Sequence, residues 1–294
     1  MSARIVRRLA APLVLLALLA ACGGGADSAP GAKGATLRVS GSTTVNPVAA
    51  DAAEVLRKEG LEVTVDTQGG SAGGIAQLGA GQIEIAMSSK EVAEEDRKAH
   101  PDVDFVPTEV GADAVGVIIR REVFDGGVKS LTKDQLRGVF EGTVTNWSQV
   151  GGPDLAVFVY DKEPGRGTRE VLDKYLYGKD AKAPPPPRSD NYAIVGGNEE
   201  TRTKLLSTPG SVGPLSSAFV AGRPQLVAVA VDGVLPTSEH IKDKSYPMAR
   251  PLFLVTDGEP AGSARRFIDF VLSPAGQAIV TRHGYLTLAE LHGG

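Results

Sequence analysis

Three times in this chain a short β-like run passes through a turn of glycine with serine or threonine and straight into a helical pattern. Gly41-Ser42-Thr43-Thr44 precedes a helix starting at Pro47. The run Gly69-Gly70-Ser71-Ala72-Gly73-Gly74 precedes one starting at Ile75. Gly165-Arg166-Gly167-Thr168 precedes one starting at Arg169. Repeated strand–turn–helix units argue for an α/β architecture. Each turn presents unpaired backbone N–H groups and the positive end of a helix dipole. Glycine lets a ligand approach the main chain and hydroxyls add short donors, a combination suited to a small oxyanion. One such turn is ordinary N-capping, because Ser, Thr and Gly are the usual cap and turn residues. Three in one chain carry the reading.

Cations accompany the turns: Lys90 closes the run Met87-Ser88-Ser89-Lys90, and Lys162 and Arg166 flank the third turn. Micromolar binding needs about 8 kcal/mol, whereas one charged hydrogen bond supplies about 1.5–3 kcal/mol net. A buried dianion therefore needs donors from more than one segment.

The rest of the chain alternates in the same way. Strands are expected at 37–40, 61–66, 83–87, 113–120, 155–160 and 250–256. Helices are expected at 47–58, from 75, and at 133–140, 169–177 and 264–272. Ser273-Pro274 is expected to cap a last helix ending near 283. Four consecutive prolines, Pro184 to Pro187, mark a surface connection. There is no internal repeat, and the length fits two lobes better than one core.

The first 21 residues carry Arg4, Arg7 and Arg8 ahead of an apolar run from Leu9 to Ala21. That run is too short for a membrane span and fits a secretory leader. It ends at Ala20-Ala21-Cys22, followed by three glycines. The arrangement resembles a bacterial lipobox and predicts a signal peptide over 1–21, lipidation of Cys22, and a flexible tether over 22–35. Losing the three leader arginines takes the formal charge from −4 to −7. The folded part is expected outside the cytoplasmic membrane, anchored to its surface.

Composition removes several other classes. A net charge of −4 with 15 aromatic residues argues against nucleic-acid binding. One cysteine excludes an intramolecular disulfide framework and cysteine-built zinc sites. The four histidines, His100, His240, His283 and His292, are widely spaced and expected at the surface. No metal and no cofactor is expected. An enzyme such as a phosphoesterase is disfavoured: the three turns hold no histidine, no carboxylate cluster suggests two metals, and no Gly-x-Ser-x-Gly elbow occurs. A surface adhesion module is a further alternative. Trp147 is expected to anchor packing.

From Leu37 to Leu288 the sequence resembles the phosphate-binding lipoproteins of phosphate-specific ABC transporters. The resemblance runs in order through GSTTVNP (41–47), GGSAGGI (69–75), MSSK (87–90), FEGTVTNWSQVGG (140–152), EPGRGTRE (163–170), RPLFLVTDGEP (250–260) and FIDFVLSPAGQAIV (267–280). It implies a type II, two-lobed periplasmic-binding-protein-like fold with the ligand cleft between lobes. Lobe 1 would be 36–118 plus 248–294 and lobe 2 would be 119–247, with 113–119 and 250–256 near the hinge. It also implies capture of inorganic phosphate for an ABC permease, by a monomer. The contacts it implies are Ser42, Thr43, Thr44, Ser71, Ser89, Lys90, Lys162, Arg166, Gly167 and Thr168.

Three positions depart from the family's usual pattern. Lys162 and Arg166 stand where Arg and Ser are common. Lys90 stands where some members have an Asp able to accept the proton of hydrogen phosphate. Val212-Gly213-Pro214 replaces an Ile-Gly-Tyr. Without that Asp, discrimination against sulfate has no evident agent. The same fold binding sulfate or another oxyanion, or a sensory paralogue without a transport role, therefore stays open.

Overall fold

In the computed structural model the described residues are 36–179 and 182–293; the expected leader, the tether and Cys22 lie outside them. β1 (Leu37–Gly41) leads into α1 (Asn46–Lys58), followed by β2 (Val63–Val65), α2 (Gly70–Gly79), β3 (Ile85–Ser88) and α3 (Glu94–Ala99). Helix α1 buries Val48, Ala49, Ala52, Ala53 and Leu56, a stripe with helical spacing. Pro47 pre-organises its first turn and two basic residues complement its last.

Helix α2 begins five residues before the expected Ile75, because the glycine run is helical rather than a loop. The reason is close packing. A side-chain carbon on Gly74 would lie 2.7 Å from the Ser40 carbonyl oxygen and 2.8 Å from Gly41 Cα. Only glycine lets this helix press so near to β1.

β4 (Phe105–Arg120) is twice as long as expected. It is followed by α4 (Arg121–Asp125), β5 (Ser130–Leu131), α5 (Lys133–Phe140), β6 (Phe158–Lys162) and α6 (Gly167–Tyr177). Next come β7 (Tyr192–Val195), α7 (Asn198–Ser207), β8 (Ser211–Ser216), β9 (Leu226–Val231) and α8 (Ser238–Lys242). The chain then returns through β10 (Ala249–Asp257) to α9 (Gly262–Leu272), α10 (Pro274–Arg282) and a short α11 (Leu288–His292) beyond the helix expected to be last. Ser273 caps α10 by accepting from the Gly276 N–H.

The strands form two groups. β1 lies parallel between β2 and β3, and β10 runs antiparallel to both β3 and β4. Along β4 the partner changes. Residues up to Ala114 pair with β10, whereas from Val115 the strand pairs with β8 and from Val117 also with β9. β6 then lies parallel between β8 and β7. One long strand thus belongs to both groups, and β10 returns beside it.

Each group has its own apolar core. The first holds Leu37, Leu56, Ile85, Leu252 and Phe267; the second holds Leu136, Trp147, Val159, Leu172 and Val229. Val212-Gly213-Pro214 sits inside β8 rather than in a cavity wall. Proline is tolerated in this inner strand because β6 pairs only with Ser211 and Val212, which leaves β8 one free edge beyond them. Gly213 is forced: a side-chain carbon there would lie 2.6 Å from the Tyr160 carbonyl oxygen.

Trp147 is fully buried, and its indole N–H donates to the Gly210 carbonyl at 2.8 Å. Trp147→Phe leaves a cavity and takes from the Gly210 carbonyl the shorter of its two hydrogen bonds, the other coming from the Phe158 N–H at 3.2 Å. It should cost about 2–4 kcal/mol, read as a lower urea midpoint by circular dichroism at an unchanged slope.

Candidate oxyanion-binding site

The first two turns and the residues after β3 come from one strand group, and the β6–α6 turn comes from the other. They close on a single cavity of about 200 Å³. Ser42, Thr43, Thr44, Ser71 and Ser89 line it from the first group; Lys162, Arg166, Gly167 and Thr168 line it from the second. That space suits a small ion and is well below the several hundred Å³ of pockets for larger ligands.

The two walls touch. Gly167 packs so tightly that a side-chain carbon would lie 2.6 Å from Ser89 Oγ and 2.8 Å from Ser71 Oγ. The Ala72 N–H donates to the Gly165 carbonyl at 3.0 Å. The Asn198 N–H donates to Thr43 Oγ1 at 3.3 Å, and its Nδ2 to Thr44 Oγ1 at 2.9 Å.

Arg166 is bulkier than the serine common at its position, yet it lies along the wall. Its Cδ runs over Gly70, where a side-chain carbon would be only 2.7 Å away. Nε and Nη2 donate to Glu163 Oε2 at 3.1 and 2.6 Å, whereas Nη1 is buried without a protein partner. A buried donor left unsatisfied costs about 1–3 kcal/mol, and more when charged, so an anion in the cavity would relieve a standing penalty.

Lys162 is buried, and its ammonium donates to the Gly197 carbonyl and Asn198 Oδ1, each at 3.2 Å, and to Thr201 Oγ1. Burial first, then the positive charges of Arg166 and Arg250, push its pKa down to about 7, against opposing pulls from Asp161 and Glu200. A bound anion acts in the opposite direction.

Lys90 does not line the cavity. Its ammonium lies between Glu170 Oε1 at 3.0 Å and Asp96 Oδ2 at 3.3 Å, which satisfy a buried charge that would otherwise need the ligand. Glu170 sits in the first turn of α6, so Lys90 neutralises a carboxylate close to the helix end that faces the cavity.

Two contributors escaped the sequence reading. Gly196 and Asn198 line the cavity from a fourth strand–glycine–helix turn, Val195-Gly196-Gly197-Asn198, between β7 and α7. It shares the glycines and the following helix of the other three turns but carries Asn198 where they carry serine or threonine, so the glycine–hydroxyl pattern does not mark it. Arg250 and Asp113, placed near the hinge by resemblance, form a buried ion pair at 2.8 Å directly behind the cavity. The available signal was a charge of each sign within otherwise apolar strands. Among the described residues, no cluster of His, Cys, Asp and Glu could hold a metal, and no helix is long and apolar enough to cross a membrane.

Two strand groups joined by a shared long strand, with facing helix N-termini enclosing a small polar cavity, define a two-lobed solute-binding protein. Residues 26–275 match the PBP superfamily domain, and the chain belongs to that superfamily. It is 28% identical over 93% of its length to the phosphate-binding protein PstS of Bacillus subtilis, 91% of which is covered. It is 29% identical to PstS of Borreliella burgdorferi, covering 84% of this chain and 88% of that one. A Clostridium perfringens structure described as a phosphate ABC transporter substrate-binding protein with bound phosphate superposes with a TM-score of 0.75. That pair shares 29% identity, covering 86% of this chain and 99% of the other.

The depressed Lys162 pKa sets a pH dependence of stability. Between about pH 7 and the ordinary lysine range the unfolded chain binds a proton that the folded, empty protein does not, so stability rises with pH there and is lowest below 7. Urea unfolding of the ligand-free protein between pH 7 and 9 should show a gain of at most about 1.4 kcal/mol per pH unit. Lys162→Met should remove that slope.

Proposed function

We propose that this chain captures inorganic phosphate between its two lobes and delivers it to an ABC permease. The observation that carries this reading is the convergence of helix N-termini, hydroxyls, Lys162 and Arg166 on one small cavity, with Arg166 Nη1 buried and without a protein partner. The naming of its relatives as phosphate-binding proteins agrees with it. Binding needs no bond making. No histidine and no carboxylate lines the cavity, which supports a carrier rather than a hydrolase.

The ligand set consists of Ser42, Thr43, Thr44, Ser71, Ser89, Lys162, Arg166, Gly167 and Thr168, extended by Asn198. Lobe 1 is 36–118 plus 248–294 and lobe 2 is 119–247. The change of pairing partner along β4 supports a crossover in this part of the strand. The contacts made by Gly165, Gly167 and Asn198 across the cleft are those of a closed form. Lobe closure over the ion is the signal a permease would read.

Titration calorimetry of residues 23–294 with phosphate tests the reading: a stoichiometry of one is expected, and no heat at millimolar phosphate removes it. Arg166→Ala should weaken binding by about 1.5–3 kcal/mol, ten- to over a hundredfold.

The protein acts as a monomer held at the outer face of the cytoplasmic membrane by lipid on Cys22. Cys22→Ala should abolish labelling by radioactive palmitate and release the protein from the membrane fraction. Retention of label with the alanine in place would exclude Cys22 as the anchor.

A further inference from the structure

Among the described residues, one ion pair alone joins the two lobes proposed above. Lys90, just after β3 in lobe 1, places its ammonium 3.0 Å from Glu170 Oε1 on α6 in lobe 2. Every other charged pair, Arg250 with Asp113 included, lies within one lobe. Hydrogen bonds cross the cleft as well: Ala72 to Gly165, Asn198 to Thr43 and Thr44, and Arg250 to Thr168 Oγ1 at 3.0 Å. The Arg250 guanidinium also donates to Thr44 Oγ1 and Ser89 Oγ on its own lobe.

Lys90 is anchored on its own side. Ser88 Oγ donates to its carbonyl at 2.7 Å and accepts from its N–H at 3.3 Å. The ammonium also donates to Asp96 Oδ2 at 3.3 Å, an oxygen that accepts from the Ala93 N–H at 3.0 Å. Glu170 lies one turn into α6, three residues beyond Gly167 in the cavity wall. A movement that carries α6 away from Ser71 and Ser89 therefore carries Glu170 away from Lys90, while Lys90 keeps Asp96. The Lys90 side chain is 5% exposed and that of Glu170 29%, so in the closed form water and salt screen the pair less than a surface contact. On opening, Glu170 regains water and Lys90 retains one carboxylate. Neither is stranded as a lone buried charge, and the contact can break and re-form with every ion.

We propose that Lys90 and Glu170 form a latch between the lobes that holds the cleft closed and sets how long a captured ion stays. The latch goes beyond the anion-capture reading and the lobe division, and rests on both. Lys90 acts without lining the cavity, as a positioning residue that keeps α6 against the opposite wall. Release requires opening, so the latch governs the rate of escape.

Release of radiolabelled phosphate into excess unlabelled phosphate tests this on the wild-type protein, Glu170→Gln and Glu170→Asp. Loss of one partner of a partly buried charge pair should speed release about tenfold in Glu170→Gln. Glu170→Asp keeps the charge but not the reach, and should speed release to a similar degree. A carboxylate acting only as a negative charge near the site predicts the opposite: slower release in Glu170→Gln and no change in Glu170→Asp. In a Lys90→Met background, Glu170→Gln should no longer speed release.

Urea unfolding of each variant is read alongside. A lower midpoint with unchanged release marks a structural role and overturns the proposal, as does slower release in Glu170→Gln or an undiminished effect of that change beside Lys90→Met. Should Glu170→Gln not fold, Glu170→Asp decides alone. Failure of the wild type to bind phosphate removes the anion-capture reading and this inference with it; phosphate binding with one release rate in wild type and variants removes only the inference.

Discussion

Positive charge held out of water is the constraint around which this molecule is organised. Lys162, Arg166 and Arg250 lie within or directly behind one small cavity, and desolvating each costs several kcal/mol unless something opposes it. Arg250 is matched by Asp113 at the strand junction. Arg166 is half matched by Glu163 and keeps one buried nitrogen without a partner. Lys162 has three neutral oxygens around it and a depressed pKa. The protein's own groups therefore leave the site short of negative charge, which a small anion would supply. Lys90 shows the alternative outcome: with Glu170 and Asp96 in contact, a buried lysine needs no ligand and takes no place in the wall.

Such a site also needs backbone and hydroxyl groups within reach of a small ion. Glycine makes that possible in two different ways. Gly74 lets α2 sit against β1, which brings the α2 N-terminus and Ser71 up to the Ser42 turn. Gly167 lets the opposite helix touch Ser71 and Ser89 across the cleft. Neither residue is there for flexibility. Each removes a side chain where two main-chain segments or two lobes must meet, and the cavity remains ion-sized because they do.

Much of the fold could be read from the sequence because its signals are local. The apolar spacing of 47–58, the cap at Ser273, and the Lys133–Phe140 helix depend on neighbours within a turn or two. What could not be read depends on partners far along the chain. Whether glycines 69–74 form a loop or a helix turns on how close β1 lies. The extension of β4 back to Phe105 depends on β10, more than a hundred residues later. The site divides in the same way: the three glycine–hydroxyl turns were legible, whereas the fourth, at Gly196 to Asn198, has an amide in place of the hydroxyl. The fate of Lys90 was decided by Glu170, and a lysine beside two serines carries no local mark of that contact. Arg250 read as part of a strand because its three hydroxyl partners come from three separate segments.

Arg250 also joins the two halves of the architecture. Its strand pairs with the β3 and β4 segments of the first group, its carboxylate partner Asp113 lies where β4 changes neighbours, and its Nη1 reaches Thr168 at the start of α6 in the second. Thr44 and Ser89, on the first group, accept from the same guanidinium. A movement that separates the lobes must lengthen the bond to Thr168 while Asp113 holds the guanidinium in place. Opening therefore frees a Thr168 lone pair and a buried arginine N–H together, and solvent entering the cleft is what can compensate them. Closure over an ion would restore that bond together with the contacts of Gly167 and Asn198, so the hydroxyl wall and the contacts across the cleft belong to one buried charge network.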